Sequence, residues 1–464
     1  MINENVLYMS VRELSKRIQA RTLSPVDLAQ AYLDRSERIG SKLNAYAVLT
    51  RDLALREARQ AEHEIRAGKY RGPLHGIPYA AKDLLAVKGY ATSWGAKPYS
   101  GQKFDYDATV IQKLRAAGAV LIGKAAMIEL AGGMGYRFAS ASISGPAKNP
   151  WDQNCWTCGS SSGSGAIASA ALAAFAVGTE TWGSIVCPSA FCGVSGLRPT
   201  YGRVSRHGGM ALSYSMDKIG VLGRTADDCG LVLAAISGHD EQDPGSLPEP
   251  PFSYRTVPGA RPLRIGLLSN AWKNVPSEIE AAVSASVRVL KTGGAIVEEA
   301  KLPEGPWEIA AGIVISVEGA AAFDSLIESG RVAELNDPLG KVAAYVNQQI
   351  PAADYVRAVR IRSIVQRKID ELFEKFDVIC AASLPVTASP LTANLETDLD
   401  FADPLGGIGN FCGLPAVSVP CGLDSKKLPI GIQFVGRPLD EQKVIDAATL
   451  LQHRTDWHRR RPPV

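Results

Sequence analysis

Two turns rich in small residues carry the hydroxyl groups that could do chemistry in this chain. The first is residues 159–165, which read GSSSGSG, and the second is residues 181–184, which read TWGS. Small residues let two backbone turns approach closely and leave a hydroxyl surrounded by backbone N–H groups. The pattern predicts a serine nucleophile beside an oxyanion-binding nest. The alternative is a flexible turn or helix N-terminus that holds an anion, and nucleotide binding is disfavoured because the loop lacks a Gly-Lys-Ser/Thr ending.

A lysine, Lys82, follows the apolar residues 77–81, which are predicted to form a short buried strand. Its apolar neighbours Leu84 and Leu85 also favour burial of the amine. A free lysine titrates near 10.4, and burial lowers that pKa because it penalises the charged form. A lysine that is neutral near pH 7 can act as a general base. The alternative is an ion pair with Asp83 or an ordinary surface lysine.

These residues lie in segments that resemble the amidase signature family of serine hydrolases. The family's motifs appear in order at residues 74–78 (LHGIP) with 82–83 (KD), 159–165 (GSSSGSG), 180–184 (ETWGS), 192–200 (CGVSGLRPT), 413–420 (GLPAVSVP) and 431–433 (GIQ). The run at 192–200 is near-verbatim, and the resemblance spans most of the chain.

The resemblance implies a Ser-cisSer-Lys triad. In that arrangement Ser184 is the nucleophile, Ser160 is the bridging serine and Lys82 is the base. The bridging serine would follow a cis peptide bond to Gly159. Ser160 is chosen over the two serines that follow it only by its interval to Ser184.

The second turn would supply the oxyanion hole through the backbone N–H groups of Thr181, Trp182 and Gly183. A triad of this kind needs no metal or cofactor, and none is expected. This turn departs from the family pattern, because Trp182 stands where glycine is usual, Glu180 replaces aspartate, and Val186 stands where arginine is frequent. Because the usual aspartate and the usual arginine are both replaced, we predict that a single rearranged set of contacts supports this turn. Catalysis is expected to persist, since backbone donors survive a change of side chain.

Aromatic residues near the predicted site favour an aryl or otherwise apolar amide. Trp182 would narrow the pocket or form an aromatic wall, and the alternative is plain packing against Phe191. The residues expected to bind substrate are Met134, Gly135, Tyr136, Phe138 and Trp182.

The cysteines are predicted to be structural rather than chemical. Cys155 and Cys158 have CxxC spacing, but a zinc or redox site would need a second ligand pair or a thioredoxin-like context. Cys187 and Cys192 are predicted to be buried small hydrophobes. Eight cysteines in 464 residues do not suggest a disulfide scaffold, so a reducing cytoplasm is the expected location.

The elements that must position these residues alternate between helices and short apolar strands. Helices are predicted from Ser24-Pro25 onward and at 53–67, 108–117 and 277–293, the last capped by Ser277. Strands are predicted at 77–81, 120–123 and 263–268, an exposed connection at 239–262, and Pro188 is expected to stop any helix. This alternation predicts an α/β body.

The resemblance implies the amidase signature fold, an α/β architecture in which a central mixed twisted sheet is covered on both faces by helices. A single domain is expected over residues 1–464. Its parts are a helical N-terminal layer at 1–68, a catalytic core at 69–240, a linker and helix-rich variable substrate region at 241–375, and the C-terminal part of the core at 376–464.

Composition narrows the partners. A formal charge of +3 provides no global basic field for nucleic acid, and neither a secretory signal nor an apolar run of about 18 residues is found. The expected partners are a small-molecule amide substrate, no nucleic acid and no membrane. The family resemblance adds the expectation of a homodimer.

The predicted function is hydrolysis of the C–N bond of a small or medium-sized amide through an acyl-enzyme intermediate. Two alternatives remain open. One is the glutaminase (A) subunit of a tRNA-dependent amidotransferase, which shares all of these motifs. The other is a non-catalytic relative that only binds a ligand.

Overall fold

A single mixed sheet runs through the molecule, whose computed structural model describes residues 2–256, 261–399 and 401–464. Within these ranges its strands are β1 (Tyr46–Leu49), β2 (Pro78–Lys82), β3 (Val120–Ala125), β4 (Phe175–Glu180), β5 (Ser195–Arg198), β6 (Lys218–Gly223), β7 (Arg264–Leu268), β8 (Ile296–Ala300), β9 (Val378–Ala382), β10 (Ala416–Leu423) and β11 (Pro429–Gly436). Their order across the sheet is β1-β3-β2-β4-β6-β5-β10-β11-β9-β7-β8.

Parallel and antiparallel pairs alternate in blocks across this sheet. β2 pairs in parallel with β3 and β4, and β7 pairs in parallel with β8 and β9, whereas the other neighbours run antiparallel. β2, β3 and β4 are buried along their whole length, as parallel strands covered on both faces must be. The predicted mixed sheet between helical layers is confirmed.

Helices fill the connections between the strands. They are α1 (Glu4–Leu7), α2 (Val11–Gln19), α3 (Pro25–Arg35), α4 (Arg51–Arg66), α5 (Thr109–Ala116), α6 (Ser162–Ser169), α7 (Val186–Cys192), α8 (Ala226–Ile236), α9 (Ser277–Thr292), α10 (Trp307–Ala322), α11 (Asp324–Glu328), α12 (Pro338–Asn347), α13 (Ala352–Lys375), α14 (Pro404–Phe411) and α15 (Glu441–Gln452). In the described part of the chain, no helix has both the length and the apolar character needed to cross a membrane.

Three predictions about where helices begin or end can be compared with the structure, and one of them is confirmed. The hydroxyl of Ser24 accepts the N–H of Asp27 and caps α3, as predicted. Ser277 is the first residue of α9 rather than its cap, which is Pro276, so that prediction is wrong. Pro188 does not stop a helix, because it lies in the first turn of α7, where a backbone N–H has no helical partner to lose.

The connection predicted at 239–262 has no helix or strand in its described residues, and its residues 257–260 lie outside the described ranges. The sheet draws strands from all four predicted segments of the chain. The division into a single domain with those four parts stays a prediction.

Two parallel strands bring the candidate site together. Lys82 is the last residue of β2, Glu180 is the last residue of β4, and the register pairs Ala81 with Val177. Because parallel strands end at the same edge of a sheet, the lysine and the turn at 181–184 meet there.

Candidate active site

The three side chains of the predicted triad form one hydrogen-bonded chain. Lys82 Nζ lies 2.7 Å from Ser160 Oγ, and Ser160 Oγ lies 3.0 Å from Ser184 Oγ. The peptide bond between Gly159 and Ser160 is cis, as the resemblance implies. All three side chains belong to buried residues. The fold therefore brings together three groups that are far apart in the sequence.

Burial lowers the pKa of the Lys82 amine. Lys82 is 0% exposed. Its burial lowers its pKa to about 7, and the nearby carboxylates of Asp217 and Glu180 raise that pKa by a smaller amount. The alternative of an ion pair with Asp83 is wrong, because that carboxylate pairs with Lys124 at 2.9 Å. The alternative of a surface lysine is excluded by the same burial. Near neutral pH a substantial fraction of this lysine is uncharged.

Two further hydroxyls determine which way the neutral amine points. The hydroxyl of Ser161 donates to the carbonyl of Thr179 at 3.0 Å, so its oxygen accepts an N–H of Lys82 at 3.0 Å. The hydroxyl oxygen of Thr179 accepts a second N–H at 2.9 Å. A neutral amine has two N–H groups and one lone pair. A neutral Lys82 that donates both of its N–H groups to Ser161 and Thr179 has its lone pair left for Ser160, as a base for that hydroxyl requires.

Sequence reasoning missed Ser161 and Thr179 as partners of the lysine. Ser161 was considered only as a rival for the bridging role, and no motif singled out Thr179. The hydroxyl of Thr179 reaches Lys82 because β4 lies beside β2 in parallel register. The pairing of these two strands was the signal needed, and spacing along the chain does not reveal it.

The turn at 181–184 presents free backbone donors. Gly183 has φ of +77°, in the left-handed region that favours glycine. Within the described chain, the backbone N–H groups of Thr181, Trp182 and Gly183 donate no hydrogen bond, and their role as an oxyanion hole stays a prediction. Behind the turn, the Thr181 hydroxyl donates to Asp217 at 2.5 Å and Lys218 donates to the Thr181 carbonyl at 3.4 Å.

Glu180 supports the far side of this turn. One carboxylate oxygen accepts Arg198 Nη1 at 2.6 Å, and the other accepts the N–H groups of Ile185 and Val186 at 2.7 and 2.9 Å. Burial alone would raise the pKa of Glu180, but Arg198, Lys218 and these donors lower it to about 2. Arg198 supplies a buried positive charge to this carboxylate, and the rearranged support stays a prediction.

Trp182 is held by a residue that sequence reasoning did not find. Its indole Nε1 donates to Asp403 Oδ2 at 2.8 Å, and a Cβ on Gly407 would lie 3.2 Å from its ring. Asp403 also caps α14 and is half-buried, and the partial loss of solvent around its carboxyl raises its pKa to about 6. Phe191, the packing partner considered for Trp182, belongs to a different hydrophobic cluster. The Asp-Pro pair at 403–404 marks a helix start, but nothing in it signals contact with the turn.

The loop at 134–138 lies beside the serine turn. The hydroxyl of Tyr136 would be 3.1 Å from a Cβ on Gly159, and its ring meets Trp156 edge-on at 6.1 Å between centroids. The N–H of Phe138 donates to Asp337, the cap of α12, at 3.0 Å. This contact fastens the loop to the variable region.

Two other predicted substrate residues of this loop point elsewhere. Met134 is buried in the main hydrophobic core, and a Cβ on Gly135 would meet Leu339 of α12 at 3.0 Å. Substrate binding by Met134, Gly135, Tyr136, Phe138 and Trp182 stays a prediction.

A cavity of about 230 Å³ borders Thr179, one of the three hydroxyl partners of Lys82. Thr179 and Thr181 lie on its wall, together with apolar side chains that include Met210, Leu212 and Ile219. A mostly apolar chamber beside convergent polar groups is the usual form of a small-molecule site.

Cys158 and Cys187 form a disulfide, so the prediction that Cys187 is a buried small hydrophobe is wrong. The bond joins the serine turn to α7, two segments that only the fold places side by side. The prediction for Cys192 is confirmed, since it is buried and its thiol is free.

The chain is similar along nearly its whole length to known proteins of one family. The model of the Amidase family matches residues 27–445. The A subunit of glutamyl-tRNA(Gln) amidotransferase from Moorella thermoacetica is 34% identical, covering 98% of each chain. A native peptide amidase from Stenotrophomonas maltophilia superposes with a TM-score of 0.85, at 31% identity over 98% of each chain. An inhibitor-bound complex described for an s-triazine catabolic enzyme gives a TM-score of 0.87, at 29% identity over 96% of this chain and 98% of that one.

These relatives overturn the predicted partners. A small-molecule amide without nucleic acid, without a membrane and in a homodimer was expected. The expectations of no nucleic acid and of a homodimer are wrong, because the curated relatives are named as one subunit of an amidotransferase for glutamyl-tRNA(Gln). With its family match, its relatives and its fold in agreement, the chain belongs to the amidase signature family of amidohydrolases.

Proposed function

We propose that this chain hydrolyses an amide C–N bond through an acyl-enzyme formed on Ser184. The observation that carries the proposal is the continuous hydrogen-bonded chain from Lys82 through Ser160 to Ser184. A buried lysine with a pKa near 7 can be neutral at working pH, so it can accept a proton at its lone pair.

In the proposed mechanism, protons move along this chain and back. Ser184 attacks the amide carbonyl while its proton passes to Ser160, whose own proton passes to Lys82. The oxyanion is stabilised by the free N–H groups of the turn at 181–184. The proton then returns to the leaving nitrogen, the C–N bond breaks, and water hydrolyses the ester on Ser184.

For the substrate, we propose the side-chain amide of glutamine, with ammonia as the product used by partner subunits. Support comes from the A subunits of glutamyl-tRNA(Gln) amidotransferase, which are 32–36% identical over nearly the whole chain. The cytoplasmic location predicted from the cysteine count stays a prediction.

One observation favours a second candidate, a bulkier apolar or aryl amide. Trp182 replaces the glycine that is usual in the family's turn, and Asp403 fixes its indole beside the oxyanion donors. An aromatic surface in that position suits an apolar acyl or amine group better than the polar side chain of glutamine.

A panel of amides tests both candidates. Ammonia or amine release from glutamine, aliphatic, aryl and ureido amides is measured with the purified chain and with any proteins that co-purify with it. Preference for glutamine supports the first candidate, and preference for aryl amides supports the second. A Ser184→Ala variant that hydrolyses its best amide as fast as the wild type would overturn the mechanism.

A fluorophosphonate probe separates catalysis from mere ligand binding. Labelling of the wild type that is lost in Ser184→Ala supports an activated serine. The absence of labelling and of hydrolysis in the folded wild type would favour the non-catalytic alternative.

A further inference from the structure

The disulfide of Cys158 and Cys187 spans the two segments that carry the predicted catalytic serines. Its cysteines are 29 residues apart in the sequence, and their Cα atoms are 5.8 Å apart. Cys158 stands two residues before Ser160, and Cys187 stands three residues after Ser184. The cross-link therefore lies close, on both chain segments, to the 3.0 Å contact between the two hydroxyls.

Cys158, the residue just before the serine turn, has an uncommon backbone conformation. Cys158 has φ of +64°, a conformation that costs free energy for a residue with a side chain and persists only when its surroundings hold it. The next residue, Gly159, is packed so tightly that a Cβ there would meet Ile128 at 2.7 Å. Removing the covalent anchor frees Cys158 to relax toward an ordinary conformation and to carry Ser160 with it.

The other end of the cross-link is attached to the nucleophile's own turn. The N–H of Cys187 donates to the carbonyl of Gly183 at 2.8 Å, in the first turn of α7. The sulfur is therefore connected to the oxyanion turn through one rigid helical turn. The disulfide therefore links the segment that carries Ser160 to the segment that carries Ser184.

We propose that Cys158 and Cys187 are a reversible thiol–disulfide modification site that controls amide hydrolysis, active when oxidised and impaired when reduced. The inference rests on the proposed function, because it acts through the contact between Ser160 and Ser184. A small-molecule dithiol would reduce this disulfide, and a peroxide would oxidise the two thiols back to it.

The chemistry of the site follows from access to its two sulfurs. Cys187 is partly exposed, whereas Cys158 is only 7% exposed. A thiolate of the dithiol attacks Cys187 Sγ, and the Cys158 thiolate leaves and takes up a proton. The second thiol of the reagent then displaces Cys187, which yields two protein thiols and one cyclic disulfide. In reverse, hydrogen peroxide converts one thiol to a sulfenic acid and water, and the second thiol displaces a second water as the disulfide forms.

The remaining cysteines do not compete for this chemistry. The structure describes six free cysteines, all of them buried. The two nearest in the sequence are Cys155, whose pKa burial raises to about 11, and Cys192, whose pKa burial also raises. Thiols that stay protonated and enclosed react slowly with disulfides and peroxides.

The experiment compares one full-length protein in two redox states. Thiols are counted under denaturing conditions after treatment with dithiothreitol or hydrogen peroxide, and kcat for the best amide of the panel is measured in each state. We expect the free-thiol count to change by two, kcat to fall at least tenfold on reduction, and activity to return on reoxidation. Equal kcat in the two states, or a pair that dithiothreitol cannot open without unfolding the chain, would overturn the inference.

Two variants sharpen this comparison. Cys187→Ser should have the low kcat of the reduced wild type and respond to neither reagent, whereas the matched control Cys155→Ser should respond like the wild type. Persistence of the redox response in Cys187→Ser would contradict the proposal. Should Cys187→Ser fail to fold, the two states of the wild type still decide the question.

Fluorophosphonate labelling separates this inference from the proposed function. Faster labelling of Ser184 in the oxidised state, with no amide of the panel hydrolysed in either state, would reject the proposed substrates and support the redox site. Equal labelling rates in both states, with amides hydrolysed, would reject the redox site and leave the proposed function standing.

Discussion

Arg198 lies 2.6 Å from Glu180, and the second oxygen of that same carboxylate holds the two backbone N–H groups that follow Ser184. Both side chains are almost completely buried, at 1% and 0% exposure. One ion pair therefore connects the edge of the sheet to the start of α7, with the oxyanion turn between them. This carboxylate accepts the N–H groups of Ile185 and Val186, whereas those at 181–183 donate no hydrogen bond within the described chain.

Replacing Glu180 by glutamine keeps the shape of this support and removes its charge. We expect the unfolding free energy to fall by about 3–5 kcal/mol, because Arg198 loses its buried counter-ion. Urea unfolding measures the change, and Glu396→Gln is the matched control, since its ion pair with Arg137 is exposed and worth about 0–1 kcal/mol. Equal stability losses in the two variants would contradict the assigned role of Glu180.

The pH dependence of activity should follow the amine of Lys82. Only its neutral form can accept a proton, so kcat/KM should rise about tenfold per pH unit below about 7 and level off above it. Burial lowers the pKa of Lys82 to about 7. As the pH falls below 7, the protonated and inactive form of the lysine therefore becomes the main one. Steady-state kinetics between pH 5 and 9 check this, and a flat profile over that range is incompatible with a lysine base.

Removing the amine or the bridging hydroxyl should affect kcat more than KM. Lys82→Met and Ser160→Ala are each expected to lower kcat by about 10²–10⁴-fold, since each interrupts proton transfer to and from Ser184. The control is Ser169→Ala, a buried serine of α6 whose hydroxyl has no hydrogen-bond partner among the described residues. Wild-type kcat in Ser160→Ala would count against a bridging role.

Gly183 should be intolerant of alanine because of its backbone conformation alone. No atom lies within 4 Å of a Cβ built there, yet its φ is +77°, so Gly183→Ala should cost about 1–2 kcal/mol of unfolding free energy and lower kcat. Gly312→Ala is the matched control, because it has equal space inside α10 without a positive φ and should be neutral or stabilising by up to about 1 kcal/mol. Thermal unfolding and kcat of the two variants test the difference.

Trp182 should determine which acyl or amine groups fit. Trp182→Gly is expected to raise kcat/KM for bulky amides relative to small ones by about 10-fold or more, as the removal of a pocket wall does. Trp182→Phe keeps an aromatic wall but leaves Asp403 without its indole donor, so it should change selectivity less and raise the pKa of Asp403 further. The amide panel reports the first effect, and an unchanged panel for Trp182→Gly would mean that the indole only packs.

The sequence by itself determined the family resemblance, the α/β alternation and the choice of Lys82, Ser160 and Ser184 as the candidate triad. These features are local. Short stretches of neighbouring residues are enough to show a motif, a helix cap such as Ser24 or an apolar strand. Even there, local rules failed for Pro188, since a proline breaks a helix only beyond its first turn.

Only the tertiary structure decided what surrounds those residues. Thr179 reaches the lysine through strand pairing, Arg198 neutralises Glu180 across the sheet, and Asp403 reaches Trp182 from a distant helix. The bond between Cys158 and Cys187 belongs to the same class. Contacts of this kind depend on which distant segments the packed core places side by side, and that juxtaposition leaves no periodic or spacing signal in a single chain.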